Sequence, residues 1–317
     1  MKRLSSLVLA SLMGCGARTE LNVSSGPSPE GGTQTHAAVL FGGYDLADTW
    51  TWDGAAWTQR DVTGPSARDN AMMAGFGGDV ILFGGAQSDP GALGVTLSDT
   101  WRFDGSTWKE LTVATSPSAR ASAGMASRGS ELVLFGGNPG APSATPLGDT
   151  WTFDGTTWTQ HDAVGPAARV WPMMAALGSN VVLFGGQDFS QNDFDDTWSW
   201  NGSAWTQLNV AGPVARSSAV MASLGGKIVL FGGLAATGAL ADTWTFDGTT
   251  WANVNVAGPP ARSAAAFAVT LGKLVIYGGD QAAGGALDDT WTWDGTTWTQ
   301  LAVPAPPPRE APTMAAP

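Results

Sequence analysis

The sequence predicts an all-β fold: a six-bladed β-propeller of four-stranded antiparallel blades, closed by the C-terminal strand joining the N-terminal blade. Three observations predict it: a unit containing Asp-Thr-Trp occurs six times, its copies follow at intervals of 46 to 51 residues, and each chain end carries part of one unit. Repeats of this length are typical of propeller blades. The motifs begin at Asp48, Asp99, Asp149, Asp196, Asp242 and Asp289.

Spacing within the unit is constant at all but one connection. In the five complete copies a repeated Arg precedes an aromatic residue and Gly-Gly by 15 residues, and in all six copies the motif Asp precedes a second Trp by 9 residues. Constant spacing indicates paired strands and short turns, because a one-residue slip would turn each side chain to the wrong face. Only the stretch from the aromatic residue to the motif Asp varies, from 7 residues after Phe41 to 16 after Phe83.

Each unit predicts four strands in order. The first follows the Arg and contains Ala, Met and Gly, and the second is an apolar run such as Val80 to Phe83. The third is Asp-Thr-Trp with the two residues after it, where alternate side chains face opposite sides of the sheet. The fourth begins near the second Trp, after an Asp-Gly or Asn-Gly dipeptide that favours a tight hairpin turn.

The two chain ends predict a closed ring. The N-terminal unit has a second strand, Ala38 to Phe41, but no Arg-led first strand. Near the C-terminus, Arg309 opens a sixth first strand, and Met314 follows it at the spacing of the other copies. Residues 309–317 should therefore complete the blade that residues 36–57 begin, which removes the open edges of the ring.

The Arg-led strand, the apolar run ending in Gly-Gly and the late Trp together resemble the kelch repeat, and the resemblance covers about residues 36–317. It implies a propeller like the kelch-type central domain of galactose oxidase. One departure is that Trp50 and its equivalents stand where the kelch repeat has Tyr on the third strand. Ligands of the family are therefore not transferred to this chain.

The first fifteen residues predict a bacterial lipoprotein signal peptide. Two basic residues precede the apolar stretch Leu4 to Met13, which is too short to span a membrane. The segment ends in Leu-Met-Gly-Cys, which resembles a lipobox with Cys15 as the lipidated residue. An ordinary cleaved leader with an incidental cysteine is the alternative.

The rest of the chain predicts a tether and one domain. Residues 16–35 are rich in Gly, Ser and Pro, as expected for a flexible tether, and residues 36–317 form the propeller. We expect an exported protein, lipid-anchored in the bacterial cell envelope, at the outer membrane or the cell surface. The formal net charge of −12 argues against nucleic acid and anionic lipid surfaces, so membrane contact is expected only through the anchor, and the protein is expected to be monomeric.

Signals of catalysis are sparse. The chain has two histidines, His36 and His161, and Cys15 is its only cysteine. A zinc site or a copper site of the galactose oxidase kind lacks its ligands, so we expect no metal, no cofactor and no assigned catalytic residue. A Ser-His-Asp arrangement stays open, although no Gly-x-Ser-x-Gly motif accompanies it.

Six arginines and the six motif aspartates form a repeated set with two interpretations. One interpretation is an anion-binding ring at the channel mouth, and the other is a set of ion pairs in which each Arg meets the Asp of its own blade or of the neighbouring blade. Six-fold repetition favours the structural role, because blade packing has this symmetry and ligands seldom do. The arginines are Arg68, Arg120, Arg169, Arg216, Arg262 and Arg309.

The fourth blade departs most from the repeat and predicts the ligand-binding site. Trp171 stands where the other copies have Asn, Ser or Ala, and the following loop contains aromatic and acidic residues where others have mostly Gly, Ala, Pro and Ser. The alternative is that the two Phe residues only pack the loop down. The candidate residues are His161, Trp171, Gln187, Asp188, Phe189, Asn192, Asp193 and Phe194.

Three functions follow from these patterns. The first is a non-catalytic scaffold that presents variable loops to a protein or glycan partner. The second is a sugar-modifying enzyme of the isomerase or mutarotase kind found among kelch propellers, with His161 and Asp188 as its acid/base candidates. The third is a purely structural component of the envelope, which the plain loops of the other blades would suit.

Overall fold

In the computed structural model, the described residues are 37–87, 95–141, 145–281 and 284–317. The predicted signal peptide, the lipidation site Cys15 and the tether lie outside them. The described residues form six four-stranded antiparallel sheets whose innermost strands contact one another in a closed cycle around a central channel. The predicted six-bladed propeller is confirmed.

The first three blades contain the following strands, ordered from the channel outwards. Blade 1 has β28 (Thr313–Ala315), β1 (Ala38–Phe41), β2 (Thr49–Trp52) and β3 (Trp57–Arg60). Blade 2 has β4 (Met72–Phe76), β5 (Asp79–Phe83), β8 (Thr100–Phe103) and β9 (Trp108–Glu110), with a short ribbon of β6 (Ala86–Gln87) and β7 (Val95–Thr96). Blade 3 has β10 (Gly124–Arg128), β11 (Glu131–Gly137), β12 (Leu147–Phe153) and β13 (Trp158–His161).

The other three blades repeat this order. Blade 4 has β14 (Met173–Leu177), β15 (Asn180–Phe184), β16 (Thr197–Trp200) and β17 (Trp205–Leu208). Blade 5 has β18 (Val220–Leu224), β19 (Lys227–Phe231), β22 (Thr243–Phe246) and β23 (Trp251–Val254), with a ribbon of β20 (Leu234–Ala235) and β21 (Gly238–Ala239). Blade 6 has β24 (Ala266–Thr270), β25 (Lys273–Tyr277), β26 (Thr290–Trp293) and β27 (Trp298–Leu301).

Antiparallel order gives the ring two distinct faces. The variable connections between second and third strands lie on one face, together with the segments that lead from each blade into the next; we call this the loop face. The tight turns between first and second strands, and between third and fourth strands, lie on the opposite face, the hairpin face. Each second strand therefore runs from the hairpin face to the loop face.

The ring closes in blade 1, as the chain ends predict. Strand β28 pairs with β1, and Met314 lies opposite Leu40. Strand β28 also contacts β4 of blade 2 and β24 of blade 6, so the C-terminal strand completes the inner cycle.

The core lies between the blades. Six clusters of buried side chains each join two neighbouring sheets; one of them contains Trp52 and Trp57 of blade 1 with Ala266 and Tyr277 of blade 6. The alternating strand pattern places one set of side chains against each neighbour. Most of the buried apolar surface is therefore shared by adjacent blades.

Each second Trp also forms a hydrogen bond across the blade interface. Its indole N–H donates to the hydroxyl of the Asp-Thr-Trp threonine in the preceding blade, at 2.9 to 3.1 Å. The six bonds are Trp57 to Thr290, Trp108 to Thr49, Trp158 to Thr100, Trp205 to Thr150, Trp251 to Thr197 and Trp298 to Thr243. The repeated Thr thus joins neighbouring blades.

The part of the chain that the structure describes has no helix with the length and apolar character needed to cross a membrane.

Candidate functional site

Every repeated Arg is paired with the motif Asp of its own blade. In blade 4, the Arg169 guanidinium donates to both carboxylate oxygens of Asp196 at 2.6 and 2.9 Å, and to the carbonyl oxygen of Gly185 at 2.9 Å. The Trp198 indole donates to the same carboxylate at 2.7 Å. The six pairs are Arg68 with Asp99, Arg120 with Asp149, Arg169 with Asp196, Arg216 with Asp242, Arg262 with Asp289 and Arg309 with Asp48.

The Gly-Gly step leaves room for the Arg to cross the second strand. A Cβ atom at Gly186 would lie 3.1 Å from Cδ of Arg169, and this glycine has a φ of 102°. Arg169 is fully buried, and its guanidinium is occupied by its partners. Arginines held in this way stabilise the blade and do not present a charge to a ligand at the channel mouth.

These contacts set the charge of the motif carboxyls. For Asp196, partial burial raises the pKa. The hydrogen bonds and positive charge of Arg169, together with the Trp198 indole, outweigh this effect, so the pKa lies below its usual value. The same balance lowers the pKa of the motif carboxyl in four other blades. These five carboxyls are therefore ionised at neutral pH.

A second ring of six residues surrounds the channel mouth on the loop face. Each lies two positions after a repeated Arg and has a left-handed backbone, with φ between 45° and 57°. Five of their N–H groups donate to the carbonyl oxygen of the corresponding residue in a neighbouring blade, at 2.7 to 3.4 Å. We call these residues the mouth ring; they are Asn70, Ser122, Trp171, Ser218, Ala264 and Ala311.

Trp171 is the only large side chain of the mouth ring. Its indole N–H reaches from blade 4 to Oδ1 of Asn70 in blade 2, at 3.3 Å. The indole therefore extends over one side of the mouth, while the opposite side has Ser218, Ala264 and Ala311. A left-handed backbone is rare for a bulky residue and is often found at functional sites.

A cavity of about 160 Å³ lies at this mouth, and Trp171 is one of the residues that line it. Its walls come from the mouth ring and from the first strands of the blades, and they are mostly Met, Ala, Pro and Phe. None of the lining residues is charged.

The blade 4 loop begins beside Trp171. The backbone groups of Val170 and Gln187 exchange two hydrogen bonds of 2.9 Å, and the Gln187 side chain donates to Asp193 at 2.9 Å. Asp188 accepts bonds from the backbone N–H groups of Ser190 and Asn192. Trp171 and the predicted loop residues therefore form one local surface.

Asp188 and Asp193, two carboxyls of this loop, have opposite pKa shifts. The Asn192 side chain donates to Asp188 and, with backbone N–H groups, lowers the Asp188 pKa. Burial raises the pKa of Asp193, although hydrogen bonds from Gln187 and Ser217 oppose this. The acidic side chains hold the loop in shape as well as carrying charge.

The two phenylalanines of the loop differ in role. The centre of the Phe194 ring lies 3.9 Å from the guanidinium carbon of Arg169. The backbone carbonyl of Phe194 accepts a hydrogen bond from the backbone N–H of Arg216 in blade 5. Phe189 is 39% exposed. Phe194 therefore packs the loop onto the ion pair of blade 4, and Phe189 is the phenylalanine that can meet a partner.

His161 lies apart from this surface. It is the last residue of β13 in blade 3, and its Nε2 is 2.8 Å from the Thr152 hydroxyl. Its ring packs edge-on against Trp200 at 5.3 Å, on the outer side of the interface with blade 4. Within the described ranges no hydrogen bond, ion pair or ring contact joins His161 to Asp188, and no group of three or more His, Cys, Asp and Glu side chains is placed to hold a metal.

Asp280 is an acidic residue of the loop face that the sequence analysis did not single out. It follows Gly-Gly in blade 6, and its Oδ1 is buried without a hydrogen-bond partner among the described residues. Burial and the charge of Glu310 raise its pKa to about 6. No pattern in the sequence distinguishes this Asp from its exposed neighbours.

The raised pKa predicts a pH-dependent gain of stability in Asp280→Asn. Below the usual pKa of an Asp side chain, the wild-type carboxyl is protonated in both the folded and the unfolded state and costs no stability. As the pH rises from there towards 6, the unfolded state loses this proton while the folded state keeps it, so the wild type loses stability. Because Asp280 is partly exposed, we expect the variant to raise the free energy of unfolding by about 1 to 2 kcal/mol above pH 6 and by almost nothing near pH 3. Denaturant melts across this range measure the difference, and the exposed control Asp288→Asn should change stability by less than about 0.5 kcal/mol. An equal gain at both pH values would contradict the assignment.

Comparison with known proteins agrees with this architecture. The family model of the KLHDC2/KLHL20/DRC7 Kelch-repeats domain matches residues 155–316, just over half of the chain. No curated protein matches the sequence. The match covers the second half of the ring, and the same Arg–Asp pairs and inter-blade Trp–Thr bonds occur in the first half. The chain belongs to the kelch-repeat family, whose propeller fold is typical of protein-interaction scaffolds.

Proposed function

We propose that this protein is a non-catalytic binding module that holds a protein partner on the loop face of blade 4. The observation that carries the proposal is the concentration of departures from the repeat at one place. Trp171 and the loop from Gln187 to Asp195 belong to the same blade, and the Val170–Gln187 backbone bonds join them directly. Variable loops on a rigid repeated frame are the usual location of binding residues.

The exposed chemistry of this surface suits a protein partner. Phe189 offers exposed apolar surface, and Trp171 offers a half-buried aromatic ring that its bond to Asn70 holds in place. Large aromatic residues surrounded by polar groups are typical of interface centres. The acidic charge of the chain favours a partner whose contact surface is neutral or basic.

A capture experiment tests this function. The full chain, carrying an affinity tag, is incubated with a cell-envelope extract beside a Trp171→Ala/Phe189→Ala double variant. We expect a protein that the wild type retains and the double variant loses by at least about tenfold, because central aromatic anchors contribute about 2 kcal/mol or more each. Leu271→Ala is the matched control, since Leu271 is 73% exposed on the hairpin face.

Equal capture by all three proteins would contradict a site on blade 4. Capture of a glycan in place of a protein, lost in the same variant, would retain the site and change the class of partner. Circular dichroism of each variant checks that the propeller is intact.

We also propose that the module is exported and lipid-anchored through Cys15. The basic leader, the short apolar stretch and the position of the cysteine support this proposal. Expression in a bacterial host with a labelled fatty acid should label the wild type and place it in the membrane fraction, whereas Cys15→Ser should remain unlabelled. A labelled Cys15→Ser variant would contradict the assignment.

A further inference from the structure

We infer that the cavity at the channel mouth is an anchor pocket for one uncharged aromatic side chain of the protein partner. The inference rests on the proposed function, because it names the group with which that partner would enter the loop face. It concerns the cavity beside Trp171 and not the exposed loop of blade 4.

The chemistry of the walls excludes a charged group. No lining residue is ionisable, and the nearby repeated arginines are bound within their blades. A charged group in such a cavity would lose its hydration without gaining a partner. The occupant is therefore neutral.

The walls also disfavour a sugar. Asn70, Ser122, Ser218 and Thr313 are polar, but Oδ1 of Asn70 already accepts the Trp171 indole N–H. The other lining side chains are mostly Met, Ala and Pro. A sugar ring carries hydroxyl groups on most of its carbons, and many of them would be left without hydrogen bonds.

The methionines favour an aromatic ring over an aliphatic group. The chain has nine methionines, and all except Met1 and Met13 contribute to the lining of this cavity, where they also pack into the apolar clusters between the blades. Thioether side chains adapt to the shape of a bound group and make favourable contacts with the edges of aromatic rings. The Trp171 indole adds a ring at the rim against which a second ring can pack.

The size of the cavity limits the occupant to one ring. At about 160 Å³ it is close to the cavity of roughly 150 Å³ that holds a benzene molecule in an engineered protein. It is well below the roughly 300 Å³ at which sites for drug-sized ligands begin. A single aromatic side chain fits, and a folded peptide segment or an oligosaccharide does not.

Trp171 determines which side of the mouth admits this ring. Its indole extends from blade 4 to Asn70 of blade 2, so entry is expected past Ala264 and Ala311 on the opposite side. The backbone of the mouth ring is left-handed at all six positions and holds a Trp at one of them. A second Trp at Ala264 should therefore be compatible with the backbone and should close the entry.

Methyl NMR of the full chain, labelled with ¹³C at the methionine methyl groups, tests the inference directly. The probe is toluene, a neutral single ring, and the comparison probes are methyl glucoside and butylammonium. We expect toluene to shift several methionine methyl signals in a saturable manner and the other two probes to leave them unchanged. Affinity for toluene should fall about three- to tenfold in Trp171→Ala, which loses the ring at the rim, and by more than tenfold in Ala264→Trp.

Ala311→Trp is the second closing variant if Ala264→Trp does not fold, and the same spectra report folding. Absence of toluene binding, or unchanged binding in a folded closing variant, would overturn the inference. Stronger binding of methyl glucoside than of toluene would also overturn it. A partner captured through Trp171 and Phe189 by a protein that does not bind toluene would leave the proposed function standing while the anchor pocket fails.

Discussion

Deletion of residues 309–317 is expected to abolish the cooperative folding of the propeller. The deletion removes β28, the partner strand of β1, and leaves Val39 and Leu40, which are fully buried, at an open edge. It also removes Arg309 and leaves the carboxylate of Asp48 without its ion pair. The free energy of unfolding of a domain is about 5 to 15 kcal/mol, and the loss of a strand and a buried ion pair should remove most of it. Denaturant unfolding followed by Trp fluorescence should show no sharp transition.

A synthetic peptide of residues 309–317 provides the control for this deletion. Added in excess, it should restore the transition by occupying the place of β28, whereas a peptide with Arg309→Ala should restore it only weakly because the bonds to Asp48 and Gly42 are missing. A truncated chain that unfolds cooperatively at nearly wild-type denaturant concentration would show that ring closure contributes little.

Asp196→Asn is expected to have the second-largest effect, a loss of about 3 to 5 kcal/mol in the free energy of unfolding. The substitution leaves the guanidinium of Arg169, which is fully buried, without its counter-charge, while the Phe194 ring stays in contact with it. An uncompensated buried charge is among the few causes of so large a destabilisation. Chemical denaturation at neutral pH measures the loss.

The neighbouring residue supplies the matched control for that variant. Asp195 is exposed, and Asp195→Asn removes the same charge from the same loop without touching the pair, so it should change stability by less than about 0.5 kcal/mol. If Asp196→Asn destabilised the protein by no more than its control, the ion pair would make no net contribution to the free energy of unfolding.

The architecture was predictable because its determinants are repeated at constant spacing. Each second strand is apolar, each hairpin has a Gly, and the Arg309 and Met314 positions show how the ring closes. The hydrogen bond from each second Trp to the Thr of the preceding blade was not predicted. Sequence spacing shows which residues share a strand face, but it does not show which polar atoms meet across the interface of two sheets.

The site was predictable only in part, for a physical reason at each residue. Trp171 stands out in sequence because its counterparts are small, and the Gln187–Asp195 loop stands out by composition. The left-handed backbone of the mouth ring could not be recognised in the sequence. Asn, Ser, Trp and Ala share no side-chain chemistry, and only Asn commonly adopts the left-handed conformation. His161 was grouped with blade 4 by chain order, whereas its ring lies on the outer side of the blade 3–blade 4 interface, where its contacts are Thr152 and Trp200.

The direction of β1 has a consequence for how the domain is presented. As a second strand, β1 begins at Ala38 on the hairpin face and ends at Phe41 on the loop face. The chain therefore enters the propeller from the side opposite Trp171. A label or surface coupled to the chain at Ala37 would join the domain at its hairpin face and leave the aromatic mouth uncovered on the opposite side.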